Sequence, residues 1–170
     1  MKQMSNDNNK NNDKNNINDY DFSNAEAGAS ETIPMEAGQI RKGGLIMIKG
    51  EPCKVSEVSV SKTGKHGHAK CNFVAYNIFN NKKLCDMVPS THGTTVPIVT
   101  RTEYTLIDIG EDEFVSLLDD DGNTREDLSL PDYPENYKNE IKKAFDTGDT
   151  LLVTVLKACG KEQIMSHKIE

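Results

Sequence analysis

At 170 residues and 18.9 kDa the chain has room for one domain or two small ones, and 28% charged against 35% hydrophobic residues with a mean hydropathy of -0.63 excludes an ordinary helical membrane protein. No apolar run of about 18 residues is present to span a bilayer. The formal charge of -7 is segregated: residues 1–37 hold three lysines against seven acids, net -4; residues 38–98 hold nine basic residues against three acids, net +6; residues 99–170 hold eight against seventeen, net -9. An overall pI near 5.1 therefore conceals a basic central segment, which points to an anionic partner for that segment alone.

The first 24 residues contain nine asparagines and no apolar h-region, so they read neither as a secretory signal nor as an Arg-rich transit peptide, and the expected compartment is the cytoplasm. Such polar low-complexity sequence buries too little surface to offset its ordering entropy, and residues 1–30 are expected to form a disordered tail. Four cysteines, Cys53, Cys71, Cys85 and Cys159, lie in apolar stretches without CxxC spacing and read as buried thiols rather than disulfides. With no Trp and only 6% aromatics, burial falls to Ile, Val and Leu in small cores.

After Pro34 and the Gly38, Gly43, Gly44 punctuation come five short apolar runs: Leu45–Ile48, Cys53–Val60, Ala69–Phe79, Leu84–Val88 and Val96–Val99. Runs of this length bounded by Gly, Pro and Asn predict a small β-barrel over residues 31–99. A second series, over residues 100–170, comprises Tyr104–Ile109, Phe114–Leu118, Thr124–Leu128, Leu151–Leu156 and Gln163–Lys168, with a turn at Asp120-Asp121-Gly122-Asn123. Between its third and fourth strands a helix is expected: Pro134 suits the first turn, Tyr137, Ile141, Ala144 and Phe145 share a face, and Gly148 follows the end. Three strands, a helix and two strands is the order of an OB-fold, so the chain is expected to be mainly β. Such folds often bind single strands, but the acidity of this one argues against its being the main phosphate contact.

The segment Ser61-Lys62-Thr63-Gly64-Lys65-His66-Gly67-His68-Ala69-Lys70 lies between two predicted strands and contains no acid. Gly64 and Gly67 permit positive φ and close approach of a partner, so an exposed hairpin loop presenting Lys65 is expected, with several donors and no carboxylate, as phosphate or RNA backbone requires. A Walker A motif is rejected because the first glycine of GxxxxGK[ST] is missing and the segment runs into β-rich sequence. A zinc site using His66, His68 and Cys71 would lack an evident fourth ligand. Acid–base or nucleophilic catalysis by Lys65 or a histidine would need a carboxylate that the fold would have to supply. A solvated Gly/Lys turn without a partner stands beside these readings.

The string Lys62–Lys70 closely resembles the modification loop of eukaryotic translation factor 5A, the hypusine-containing family, and Pro89-Ser90-Thr91-His92, Arg125-Glu126-Asp127-Leu128 and Leu130-Pro131 match it further, so that the resemblance covers about residues 30–170. It implies an SH3-like barrel followed by an OB-fold, and a non-enzymatic translation elongation factor. Lys65 would be the hypusine residue: deoxyhypusine synthase transfers an aminobutyl group from spermidine to it, and deoxyhypusine hydroxylase completes the modification. No cofactor or metal is implied. The implied partners are the ribosome, through rRNA and ribosomal proteins near the exit site, and the acceptor end of peptidyl-tRNA, whose positioning promotes peptide-bond formation at polyproline and assists termination; no membrane is involved. Lys62, Gly64, His66, Gly67, His68 and Lys70 would shape the loop and add RNA contacts; from the residues alone, Arg41, Lys42, Lys49, Lys82 and Lys83 read either as secondary phosphate contacts or, each by itself, as ordinary solvated cations. A hydrogen-bonded strand-end role for His68 stands beside a direct contact. The Asn-rich tail is longer than the family's usual acidic leader, and Cys71 replaces a typically aliphatic residue. The rival reading is a general RNA-binding protein whose loop uses plain lysine.

Overall fold

The computed structural model describes residues 31–62, 64 and 67–170. The expected Asn-rich tail of residues 1–30 lies outside them.

Alternation of apolar and polar residues builds the first module. Strands β1 (Thr32–Glu36), β2 (Leu45–Ile48), β3 (Glu51–Lys62), β4 (Ala69–Asn77), β5 (Lys83–Pro89) and β6 (Gly93–Pro97) form a four-stranded antiparallel sheet in the order β2-β3-β4-β5 and a two-stranded ribbon of β1 with β6. Every second residue of β4, Cys71, Phe73 and Ala75, is buried, and these pack with Ile46, Ile48, Cys53, Val55 and Leu84 into one core. The sheet and ribbon together make the half-barrel. A bulge between Val55 and Glu57 leaves Ser56 unpaired, and its hydroxyl donates to the Val74 carbonyl at 3.0 Å.

The second module has β7 (Thr100–Ile109), β8 (Phe114–Leu118), β9 (Thr124–Ser129), α1 (Tyr137–Asp146), β10 (Leu151–Ala158) and β11 (Lys161–Ile169), in the sheet order β11-β10-β7-β8-β9. This is the OB-fold. Ile141 is fully buried, and Tyr137, Ala144 and Phe145 of the same helix face pack against Leu106, Val115, Leu117 and Val153. The helix starts at Tyr137, three residues beyond Pro134, so this proline stands before the first turn; Gly148 with φ 83° follows the C-cap Thr147. The turn between β8 and β9 is held by Asp119, whose carboxylate accepts from the Asp121 and Asn123 N–H groups at 2.9 and 2.8 Å.

A small third cluster, Phe79, Leu156 and Ala158 with Ile78, Val99 and Met165, joins the modules, and Gln163 Nε2 donates to the Phe79 carbonyl at 3.1 Å. The cysteine expectation needs correcting. All four thiols are free, but only Cys53 and Cys71 are buried; Cys85 lies on the exposed face of β5 and Cys159 in the β10–β11 turn. Apolar neighbours in sequence do not bury a residue whose strand register points it away from the core. No helix among the described residues is long and apolar enough to cross a membrane.

Candidate functional site

Strands β3 and β4 stay paired past the end of their core, down to Lys62 opposite Ala69. Val58 still packs on the core, whereas Val60 is 63% exposed although it lies opposite the buried Cys71. From Ser61 onward the hairpin forms a short finger, with β5 alongside as far as Pro89, opposite Lys70, and only Lys62 and Ala69 running beyond it. Paired residues share a face, so Lys62, opposite Ala69, and Lys70, opposite Ser61, project from opposite faces of the finger. Both are exposed, and neither takes part in an ion pair among the described residues.

At the tip Gly64 has φ +69°, a left-handed conformation that an L side chain rarely adopts, and its carbonyl accepts the Gly67 N–H at 3.4 Å. His68 is exposed and Gly67 half-buried. Thr63, Lys65 and His66 lie outside the described residues. Cys71 is buried in the first core while His68 is exposed, so these two members of the HxHxxC candidate do not share an environment. Among the described residues no group of His, Cys, Asp or Glu is placed to hold a metal ion.

The base of the finger is tied down by Pro89-Ser90-Thr91-His92. Ser90 N–H donates to the Ala69 carbonyl at 2.9 Å, and the Ser90 carbonyl accepts from Gly38 N–H at 2.8 Å. The His92 carbonyl accepts from Ala37 N–H at 3.0 Å. The residue that ends the loop is thereby bonded through one turn to the 3-10 turn at Ala37–Gln39. A Cβ on Gly38 would stand 3.0 Å from the Ser90 carbonyl oxygen, so only glycine fits this approach without displacing backbone.

The secondary cations are spread out. Arg41 Nη1 donates to the Gly38 carbonyl at 2.6 Å; Lys42, Lys49, Lys82 and Lys83 are exposed. Lys42 lines a cleft between the modules rather than the finger. What sequence reasoning missed is the company Lys42 keeps there: Lys54 and Arg101, which no motif singles out, line the same cleft. Within the acidic OB-fold Arg125 is engaged with Asp127 and Glu162.

Two family descriptions match the chain: "Translation initiation factor 5A-like, N-terminal" over residues 30–92, and "Eukaryotic elongation factor 5A hypusine, DNA-binding OB fold" over residues 98–168. Relatives include eukaryotic translation initiation factor 5A-2 of Solanum lycopersicum and eukaryotic translation initiation factor 5A of Zea mays, each 60% identical over 146 residues that cover 86% of this chain and 91% of the relative. Among solved structures, a translation initiation factor 5A family protein from Naegleria fowleri is 48% identical with a TM-score of 0.78, covering 82% of this chain and 100% of that one.

Proposed function

Because the chain belongs to the eukaryotic translation factor 5A family and is on that ground a translation factor, we propose that Lys65 is its hypusine residue and that the modified side chain positions peptidyl-tRNA on the ribosome. The observation that carries this reading is the acid-free string Lys62–Lys70 at the end of a hairpin that outruns its own core, with its base bonded to the Pro89–His92 turn. A finger of this kind reaches into a site that the body of the protein does not enter.

The chemistry follows from the lysine. Deoxyhypusine synthase adds an aminobutyl group from spermidine to its amine and deoxyhypusine hydroxylase completes hypusine, turning one compact ammonium into a long, thin dication. Its two amines stand at different depths and meet successive phosphates or ribose oxygens. Bound near the ribosomal exit site, the arm would hold the acceptor end of peptidyl-tRNA in reactive geometry. That lowers the entropic part of the barrier at slow sequences such as polyproline, and assists termination, while the ribosome performs the reaction. The protein itself is then no enzyme and takes no cofactor. Lys62, Gly64, His66, Gly67, His68 and Lys70 form the presenting loop.

Lys65→Arg tests this reading, since it keeps the charge but does not accept the aminobutyl group. Loss of growth support and of translation through proline runs is expected. Full activity of that variant would favour the rival reading, a general RNA-binding protein with a plain basic loop.

A further inference from the structure

A cleft of about 650 Å³ opens where the modules meet, within the range of roughly 300–1,000 Å³ common to small-ligand sites. It lies far from the loop: Lys54 at the cleft and Lys62 at the finger's end are eight residues apart along β3, roughly 25 Å at strand rise. One wall carries Lys42, Lys54 and Tyr76, with Lys54 and Tyr76 paired across β3 and β4 and so on one face. The other carries Arg101 and Tyr133, and Leu156 and Met165 add apolar surface.

The cleft differs from the rest of this acidic protein. None of its lining residues is Asp or Glu, and its three cations make no ion pair with any described residue. The described residues contain one buried polar side chain, Asn77, 7% exposed, and it lines this cleft. Its Oδ1 accepts from the Phe79 and Asn80 N–H groups at 2.8 and 3.3 Å, while its Nδ2 donates to no described residue. Glu51 Oε2 is the one enclosed side-chain polar atom without a partner among the described residues, so the Asn77 amide is open to solvent and free to donate to a ligand oxygen. Neither tyrosine hydroxyl is engaged by a described residue, and both rings are half-buried.

We propose that this cleft binds one nucleotide unit. The cations take its phosphate, a tyrosine ring stacks on its base, and the Asn77 amide donates to a base or ribose oxygen. An aliphatic anion would leave the tyrosine faces and the apolar surface unused. An uncharged aromatic would leave three cations unneutralised. The unit is either one residue of a single-stranded RNA or a free nucleotide. The site is independent of hypusine at Lys65.

The test is a titration of the isotope-labelled full chain, with Lys65 unmodified, by AMP, by a fluorescein-labelled single-stranded RNA hexamer and by inorganic phosphate. Chemical-shift changes at the Asn77 side-chain amide and at Gly43 and Ile78 are expected with AMP and RNA. Lys54→Ala with Arg101→Ala should weaken both about tenfold and cut the salt slope of RNA binding by about 0.7, for the one phosphate they hold. Tyr76→Ala should weaken AMP about tenfold and leave phosphate unaffected. RNA that displaces AMP identifies a strand residue as the ligand; AMP that RNA does not displace identifies a free nucleotide. No shift at these residues with either probe, or phosphate alone reproducing the AMP shifts at equal affinity, overturns the proposal. The shift map of the unsubstituted chain does not depend on the variants folding. Lys65→Arg should bind as the parent does, which separates this site from the loop.

Discussion

Arg125 of β9 grips Glu162 of β11 with two parallel hydrogen bonds, Nη1 to Oε1 at 3.0 Å and Nη2 to Oε2 at 2.8 Å, across an edge where the two strands form no ladder. The sheet order leaves β9 and β11 as its two ends, so this pair closes the OB barrel with side chains where backbone pairing is missing. Arg125 also lies 5.6 Å from the Tyr104 ring centroid and donates to its hydroxyl at 3.2 Å, which fixes the guanidinium from β7 as well.

Arg125→Met should therefore lower stability by about 1–3 kcal/mol, because it strands the part-buried Glu162 carboxylate. Glu162→Gln should cost less, and the double variant should cost less than the sum of the two. Denaturant unfolding of the four proteins measures the coupling; strict additivity would mean that the pair does not close the barrel.

Acid should weaken this module. Hydrogen bonds from Arg125 hold the Glu162 and Asp127 carboxyls below their ordinary values, and those from Lys138 and Lys142 do the same for Glu113. Glu162 matters more than Asp127, since their side chains are 25% and 63% exposed. A carboxyl whose folded value lies below its unfolded one stabilises fully above the unfolded value, about 4, and loses that contribution as pH falls through the folded value. Thermal unfolding followed at Leu117 and Val153 should thus shift to lower temperature below about pH 4, and less steeply in Arg125→Met. A pH-independent transition there would contradict the ion-pair account.

The four thiols should separate by reactivity. Burial, with Glu51 nearby, pushes the Cys53 thiol up to about 11, and Cys71 is buried in the same core. Burial and then Glu31 raise Cys159 above the usual thiol value, while Cys85 is exposed. Alkylation mapped by peptide mass should run Cys85 first, Cys159 second, and Cys53 and Cys71 only after unfolding. Rapid labelling of Cys71 in the native chain would show that the first core opens.

Gly38→Val should destabilise the first module by about 1–3 kcal/mol, because the added carbons enter the space of the Ser90 carbonyl. Hydrogen exchange at the Ser90 amide, which holds Ala69 at the base of the finger, should accelerate. An unchanged melting temperature would mean the 37–39 turn shifts freely, and the finger's base with it.

Much of this architecture is legible in the chain because both modules alternate cleanly. Leu45–Ile48 and Phe114–Leu118 begin and end as strands where their apolar runs do. Strand β1 is not legible: Pro34 reads as punctuation, yet it sits in an edge ribbon opposite Thr95, where its missing N–H is tolerated. The acid-free loop and its two glycines stand out locally. The Arg125–Glu162 closure does not, because its partners are 37 residues apart and meet only through the barrel's curvature. The junction cleft is hidden for the same reason, since Lys54 and Arg101 look like ordinary solvated cations until the modules bring them together.

The most direct test of the central claim is tandem mass spectrometry of the Lys65 peptide from protein isolated from its own cells. An added aminobutyl group bearing one oxygen, localised to Lys65, is the predicted result. Unmodified lysine throughout would contradict the account and leave a plain basic RNA-binding loop in its place.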